Sequence, residues 1–244
     1  MSSTFLGIVA PIARDVKRFL WEAYRNGGAE WYTRNMDVIE AISARRSIRK
    51  FKSDPVPEAD IRRMIELATM APSAGNAQMW KFIAITNRKV LEEMRDAILH
   101  KLDTVCEWPE AQPYLDRLQA AKGWSTFFAE APVTIVVLDE PYRSAVDEIL
   151  EKRGWERPAI DALRQRPDIQ SLGAAMENLC LAAHAMGYGT CWMTAPCIAG
   201  PEIKDLLGIE TPWEVVALAP LGVPDYEPPA RPRKPLEEVL EFVR

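Results

Sequence analysis

The 244-residue sequence predicts a layered domain in which helices and strands interleave, of the α/β or α+β class. Residues 133–138 (VTIVVL) form a continuous, mostly β-branched run, which is typical of a central strand covered on both faces. Residues 81–86 (KFIAIT) predict a second strand, and an amphipathic helix follows over residues 89–101. A long helix is predicted over residues 168–186, ending at Gly187.

An N-terminal extension, residues 1–35, is predicted to hold a helix that ends at Asn26-Gly27-Gly28. We interpret the extension as an arm that packs on the domain or on a partner subunit. The alternative is a helix lying on a membrane surface, which Asp15 and Glu22 disfavour because they dilute its positive charge. The apolar residues on one face of this helix are Ile12, Val16, Phe19 and Leu20.

Two more helices are predicted before the first strand. Asp37 is expected to cap a short helix, and Pro57 is expected in the first turn of the next one, with Glu58 and Asp60 behind it. The short helix carries Val38, Ile39 and Ile42, and the residues expected to face inward from the second helix are Ile61, Met64, Ile65 and Ala68.

The C-terminal third is predicted to add two strands and an arm. The strands are expected at residues 189–193 and 214–218. Residues 226–235 (YEPPARPRKP) hold too many prolines for a helix, so residues 226–244 are expected to form an arm that begins extended, with polyproline character.

Residues 102–166 are predicted to be an irregular excursion around the strand at 133–138. Their aromatic side chains support two interpretations. The excursion is either a lid over a binding site or a small satellite core that packs the rings together. The aromatic residues concerned are Trp108, Tyr114, Trp124, Phe127, Phe128 and Trp155.

Composition narrows the class of function. A net charge of −5 gives no electrostatic surplus for nucleic acid or an acidic membrane. No export signal and no apolar run near the roughly 20 residues of a membrane helix is evident, so we expect a soluble cytoplasmic protein. The four cysteines and two histidines are not at metal-ligand spacing, and disulfides are not expected. An organic cofactor is therefore expected to carry any difficult chemistry.

The first segment with chemical potential is RRSIRKF, residues 45–51. In an extended chain Arg45, Ser47 and Arg49 project to one side, because side chains alternate. Two guanidinium groups around one hydroxyl match a phosphate monoester. The alternative is a solvated basic stretch, and the segment alone does not decide between the two.

The second segment is the loop APSAGNAQMW, residues 71–80, between a helix and a strand. Its hydroxyl and two carboxamides offer donors and acceptors together, which suits the edge of a heterocycle such as a flavin. The alternative is an ordinary connecting turn.

The third segment is the helix at residues 168–186 with its exit, GYGTCWM. Small side chains on the helix permit close approach of another helix, either within a buried core or at a subunit interface. Small residues in the exit would let a flat ligand approach the backbone. The small residues on the helix are Gly173, Ala174, Ala175, Ala182 and Ala185.

Taken in order, these segments resemble the FMN-dependent nitroreductase family. The matching pieces are RRSIRKF, PSAGNAQMW, SLGAAMENLCLAAHAMGYGTCWM, LGVP and RPRKPLEEV, and they span about residues 36–243. The resemblance implies that residues 36–244 form an FMN-binding domain of the α+β class. It implies a mixed, largely antiparallel sheet sandwiched by helices, in an intertwined homodimer with FMN at the subunit interface.

The resemblance also implies roles for particular residues and leaves the catalytic chemistry to the flavin. Arg49 would lie near the pyrimidine edge of the flavin, where a cation stabilises negative charge. The residues implied to hold the phosphate and ribityl chain are Arg45, Arg46 and Ser47, with Arg231 and Arg233 closing on the phosphate. The residues implied to reach the flavin of the other subunit are Pro72, Ser73, Asn76 and Gln78, and those implied along the flavin near N5 are Trp192, Met193 and Thr194.

The function implied by the resemblance is ping-pong reduction of a small electron-poor acceptor, such as a nitroaromatic or quinone, with NADH or NADPH as reductant. Two alternatives remain: a flavin reductive dehalogenase or enone reductase, and a flavin-binding protein of low turnover. Met79 departs from the family's usual proline, and Thr194 and Ala195 replace glutamate or glycine. Residues 102–166 are similar in length and position to the lid region of dehalogenases such as iodotyrosine deiodinase.

Overall fold

The computed structural model describes residues 36–244. The predicted helical extension, residues 1–35, lies outside the described residues. The α-helices are α1 (Val38–Ala44), α2 (Glu58–Ala68), α3 (Arg88–Cys106), α4 (Leu115–Thr126), α5 (Ala145–Lys152), α6 (Arg157–Arg164), α7 (Pro167–Ala185) and α8 (Gly200–Leu207). The strands are β1 (Trp80–Ile85), β2 (Val133–Asp139), β3 (Gly189–Thr190) and β4 (Glu214–Gly222).

The first two helices begin where local chemistry predicts. The side chain of Asp37 accepts a hydrogen bond from the backbone N–H of Glu40 at 2.8 Å, which satisfies a donor in the first turn of α1. Pro57 precedes α2 as its N-cap rather than lying within the first turn. Ile61 and Met64 are buried from α2, as predicted.

The four strands form one antiparallel sheet in the order β1-β2-β4-β3. Every residue of β2 is buried, so both faces of this strand are covered, as its β-branched sequence predicts. Ser47 adds a parallel bridge to Thr190 at the β3 edge. The predicted α+β class with a mixed, largely antiparallel sheet is confirmed.

Helices cover the sheet on both sides. Met94 and Ile98 of α3 and Ile203 of α8 join Leu138 and Leu218 of the sheet in one apolar core. The long helix α7 packs against α2 and β2. Burying each of these side chains contributes roughly 1.5–3 kcal/mol, so this core holds α3 and α8 against the sheet.

Two predictions about regular structure were wrong. Residues 102–166 are largely helical, since α3 extends to Cys106 and α4, α5 and α6 follow. The third strand is also shorter than predicted, because the β3–β4 ladder is interrupted after Thr190 and only an isolated bridge joins Met193 to Leu218.

The aromatic rings of residues 102–166 do not form a satellite core. Trp108, Tyr114, Trp124 and Trp155 are between 47% and 60% exposed, whereas Phe128 is fully buried in the main core. The satellite-core interpretation therefore fails for these four rings. No helix among residues 36–244 is long and apolar enough to cross a membrane.

Candidate functional site

The segment RRSIRKF runs in extended form beside β3. The amide of Ile48 donates to the Thr190 carbonyl at 2.9 Å, and the amide of Lys52 donates to Val223 at 2.9 Å. These bonds hold the segment against the sheet edge at both ends. Because side chains alternate, Ile48 points into the core while Arg45, Ser47 and Arg49 share the other side.

Gly189 makes this close approach possible. A Cβ built on Gly189 would lie 2.5 Å from Cγ1 and 2.8 Å from Cβ of Ile48. The Ile48 side chain therefore occupies the space that any larger residue at 189 would need. The glycine in the exit of α7 serves the approach of a neighbouring chain segment, which sets the register of the arginines.

The three arginines of this segment have different partners. Arg45 Nε lies 3.2 Å from Glu177 Oε1 of α7. Arg46 donates to the carbonyls of Ser43 and Arg45, at 2.8 and 2.9 Å. Arg49 donates at 3.3 Å to the carbonyl of Ser47, and the Trp124 ring centre lies 5.6 Å from its Cζ. All three are half-buried, so the segment is not simply a solvated basic run.

Two thiols lie close behind the segment but are not nucleophiles. Burial raises the pKa of Cys191 above its ordinary value, although Arg49 and the Ser47 hydroxyl pull it down. Burial also raises the pKa of Cys180. Both thiols stay protonated near neutral pH, as expected of small buried hydrophobes.

The carboxamide loop is a tightly turned structure, in which Gln78 Nε2 donates to the carbonyl of Asn76 at 3.4 Å. Gly75, Asn76 and Gln78 have φ values of 59°, 54° and 52°, in the left-handed region. The Ser73 hydroxyl accepts from the amide of Gln78 at 3.1 Å, so Ser73 supports the loop itself. The side chains of Pro72, Asn76 and Gln78 are exposed.

The loop is anchored to two neighbours. The amide of Ala74 donates to the Ser171 hydroxyl of α7 at 3.1 Å. On the other side, a Cβ on Gly75 would lie 3.0 Å from the hydroxyl oxygen of Tyr142. The carboxamides therefore project from a held backbone.

Of the three residues after α7 that are predicted to lie along the flavin, Trp192 and Thr194 are exposed and Met193 is buried. Trp192 is 40% exposed, and its ring lies against the backbone of Gly173 on α7, where a built Cβ would be 3.4 Å away. Thr194 is exposed. Met193 is 5% exposed, and its amide and carbonyl both bond Leu218, at 2.9 and 2.8 Å. Met193 therefore offers a ligand no free polar group.

The C-terminal arm carries its two predicted basic residues on the surface. Arg231 and Arg233 are exposed, and Arg233 donates to the carbonyl of Arg231 at 3.4 Å. Residues 226–235 form no helix, as predicted, and a single 3-10 turn follows at Leu236–Glu238.

Sequence reasoning missed a buried charge network beside the carboxamide loop. Arg166 Nε lies 3.0 Å from Asp168 Oδ1, and its Nη2 lies 3.3 Å from Asp139 Oδ2. Both carboxylates are almost fully buried. The backbone amide of Tyr142 donates to Asp168 at 3.4 Å, which ties the network to the residue that contacts Gly75.

The two carboxylates of this network titrate in opposite directions. Burial raises the pKa of Asp139 to about 7, and the Asp168 carboxylate adds to this effect while Arg166 opposes it. Burial also disfavours the charged form of Asp168, but the hydrogen bonds from Arg166 and from the Ile169 and Tyr142 amides, together with the Arg166 charge, outweigh burial and lower that pKa. The sequence signals for this network were Asp139 directly after a predicted strand and Asp168 at the start of a predicted helix. Nothing in the local pattern showed that the two carboxylates lie close together.

Comparison with known proteins shows the family of the chain. The model of the nitroreductase family matches residues 42–223, about three quarters of the chain. The chain belongs to the nitroreductase family. It is 31% identical over 200 residues to a putative NADH dehydrogenase/NAD(P)H nitroreductase of Methanothermobacter thermautotrophicus, covering 80% of this chain and 82% of that protein.

Two further proteins are similar to this nitroreductase-family chain. An iodotyrosine deiodinase of Hydra vulgaris is 27% identical over 215 residues, covering 86% of this chain and 74% of that one. The crystal structure of a BluB-like flavoprotein from Clostridium difficile 630 superposes with a TM-score of 0.77 at 33% identity, covering 86% of this chain and all of that one.

The donor set of this family member fits FMN. Arg45, Ser47 and Arg49 present two cations and a hydroxyl on one side of a held segment. No carboxylate of the described residues lies within ion-pair distance of Arg49, so its charge is available to an anionic ligand. Within residues 36–244 no group of three His, Cys, Asp or Glu could hold a metal ion.

Proposed function

We propose that this chain is an FMN-dependent NAD(P)H oxidoreductase that reduces small electron-poor acceptors such as nitroaromatics or quinones. The observation that carries the proposal is the half-buried arginine segment, which is hydrogen-bonded beside β3. The exposed Trp192 lies two residues after Thr190, the residue that bridges to Ser47. The family membership and the flavoprotein structure similar to this chain support it.

The residues of the segment would contact different parts of FMN. Arg45 and Arg46 would compensate the phosphate charge, with the Ser47 hydroxyl donating to a phosphate or ribityl oxygen. Arg45 already lies 3.2 Å from Glu177, so the phosphate would compete with that carboxylate for one guanidinium. Arg49 would place a cation at the pyrimidine edge. Bound FMN supplies the hydride chemistry, and the protein supplies position and electrostatics.

A homodimer completes this proposal. Pro72, Asn76 and Gln78 point outward from a held loop, as expected if they reach the flavin of the other subunit. Large apolar side chains are also exposed on α1 and the arm, and exposed apolar patches mark interfaces. Those residues are Val38, Ile39, Ile42, Leu236, Val239, Leu240, Phe242 and Val243.

The arm would bring its basic residues to the partner in that dimer. Arg231 and Arg233 are exposed in one chain and precede the apolar tail. An arm that packs its tail on the second subunit would carry both arginines toward the phosphate bound there. The free thiols of all four cysteines fit the cytoplasm, where we propose the protein works.

Stopped-flow mixing tests the proposed function. The purified protein, loaded with FMN, is mixed anaerobically with NADH and with NADPH, and flavin absorbance near its long-wavelength maximum is followed. We expect bleaching with at least one reductant and recovery when a quinone or nitroaromatic is added. Flavin that neither nucleotide bleaches would instead favour a flavin-binding protein of low turnover.

A reductive dehalogenase is the second candidate function. Two observations favour it: the similarity to an iodotyrosine deiodinase, and the helical form of the excursion, whose α4 places Trp124 beside Arg49. Anaerobic turnover of a halophenol panel, set beside nitro, quinone and enone panels, separates the two functions. Faster turnover of halophenols would replace the leading proposal.

A further inference from the structure

Helix α4 contributes almost nothing to the core. Ser125 is the one residue of Leu115–Thr126 that is buried. The helix packs along α3, and an ion pair between Lys122 Nζ and Asp103 Oδ1 at 2.5 Å adds to that contact and raises the pKa of Lys122. It also packs against the 3-10 turn Ala195–Ala199, directly after Thr194. Burial of apolar side chains therefore does not explain why this helix lies here.

What α4 places over the site is the Trp124 ring. The ring centre lies 5.6 Å from Arg49 Cζ, within the range of a cation–π contact. Yet Trp124 is 60% exposed, so the contact covers one face of the guanidinium and leaves the rest of the ring open. Packing into the core does not explain a tryptophan here.

Arg49 has few other restraints. Its hydrogen bond within the described chain is a long one, 3.3 Å to the carbonyl of Ser47. Arg45 differs, because Glu177 pairs with it at 3.2 Å. A ring stacked on a guanidinium blocks its face but not its in-plane N–H donors, which stay free to meet a planar ligand edge on.

We propose that Trp124 is a positioning residue, which holds Arg49 in the orientation that places its N–H donors on the pyrimidine edge of FMN. The inference rests on the proposed function and extends it to a residue of the excursion. Through Arg49, Trp124 increases the preference of the site for reduced over oxidised FMN, since the reduced flavin carries more negative charge at that edge.

The test compares the full-length protein with Trp124→Ala and Trp124→Phe. Oxidised-FMN affinity is measured by fluorescence titration, and the midpoint potential of bound FMN by equilibration with a redox dye. We expect Trp124→Ala to reduce the preference for reduced FMN about two- to tenfold, which a two-electron couple reports as about 10–30 mV more negative. Trp124→Phe should recover part of the shift because it restores an aromatic face.

Two controls separate this role from a structural one. Trp108→Ala removes a tryptophan of similar exposure, 55%, from the same excursion and should leave the potential unchanged. In an Arg49→Ala background, Trp124→Ala should cause no further shift, because the two side chains act as one unit. Thermal unfolding of Trp124→Ala, Trp124→Phe and Trp108→Ala should match the wild type closely, since these three variants change exposed side chains.

The outcomes distinguish this inference from the proposed function. A wild-type protein that takes up no FMN overturns both. A wild-type protein that binds and reduces FMN normally, with a potential that Trp124→Ala does not change, overturns only the role of Trp124. That role is also overturned if Trp108→Ala shifts the potential as much, or if the Trp124→Ala shift persists without Arg49.

Discussion

Replacing Gly189 by alanine should damage both stability and cofactor binding. The new Cβ would lie 2.5, 2.8 and 3.0 Å from the Cγ1, Cβ and Cγ2 atoms of Ile48. Carbon atoms in good contact are about 3.5–4.0 Å apart, so three contacts are too short at once. Overpacking of this kind costs about 1–3 kcal/mol, and the lower chain entropy of unfolded alanine returns about 0.4–1 kcal/mol.

The net destabilisation of Gly189→Ala is therefore about 1–2 kcal/mol. For a chain of this size each kcal/mol lowers the Tm by roughly 2–4 °C. Relief of the overlap requires Ile48 to move, and Ile48 lies between Ser47 and Arg49. If the segment is displaced in the variant and must return to its original position to bind FMN, the return costs the same, about 1–2 kcal/mol. FMN affinity then falls about five- to thirtyfold.

Thermal unfolding of the apo protein and fluorescence titration with FMN measure the two effects separately. Gly123→Ala is the matched control, because nothing lies within 4 Å of a Cβ there and the residue is inside α4. That variant should be as stable as the wild type or about 0.5–1 kcal/mol more stable. Adding Ile48→Ala to Gly189→Ala removes two of the three overlapping atoms, so the double variant should be more stable than the sum of the single effects.

Unchanged Tm and unchanged FMN affinity in Gly189→Ala would refute the reasoning. That result would mean that the Ile48 side chain does not occupy the space over Gly189, and that the register of the arginine segment has another origin.

Three further predictions address charge and assembly. The raised pKa of Asp139, about 7, means that its contribution to stability is fully present below pH 3.8 and is lost as pH rises through 7. Asp139→Asn should therefore gain stability relative to the wild type between pH 5 and 7, on the order of 2–3 kcal/mol, then level off, as urea unfolding across that range would show; a flat difference contradicts it. Arg45→Ala and Arg231→Ala should each weaken FMN retention in gel filtration because each leaves phosphate charge less compensated, whereas Arg62→Ala, an exposed arginine paired within α2, should not; equal retention in all three removes the phosphate role. Deleting residues 236–244 should shift the protein from dimer to monomer in sedimentation velocity, since the exposed apolar tail would be lost; a truncated chain that stays dimeric rules out the arm as the link.

Elements specified by a strong local pattern were predicted closely. The β-branched run at residues 133–138 became β2 with one more residue, and the helix predicted over 168–186 became Pro167–Ala185. Both patterns reflect burial on a regular period, which adjacent residues encode by themselves.

The helical form of residues 102–166 was not predictable in the same way. Helix α4 buries only Ser125, so it carries no apolar stripe to reveal its period. Helices α5 and α6 bury Asp147 and Ile160 while Ile149 and Leu163 stay exposed. In α5 this burial runs against the usual rule, because a carboxylate is buried while an isoleucine is exposed.

The features of the candidate site also separate into those that a local pattern predicts and those that depend on packing. From the order of residues 45–51 we predicted that Arg45, Ser47 and Arg49 share one side if the segment is extended, because alternation of side chains is a local property, and the bonds to Thr190 and Val223 show the extended form. The sequence by itself also determined the resemblance that leads to FMN.

Contacts between residues far apart in the chain became visible with the packing of whole elements. The tertiary structure brought Trp124 over Arg49, Ile48 onto Gly189, and Asp139 together with Arg166. It also showed that Met193, although next to exposed Trp192, has its side chain in the core and both backbone groups bonded to β4. These contacts join residues far apart in the chain, and their geometry depends on how whole elements pack, which no local pattern of residues contains.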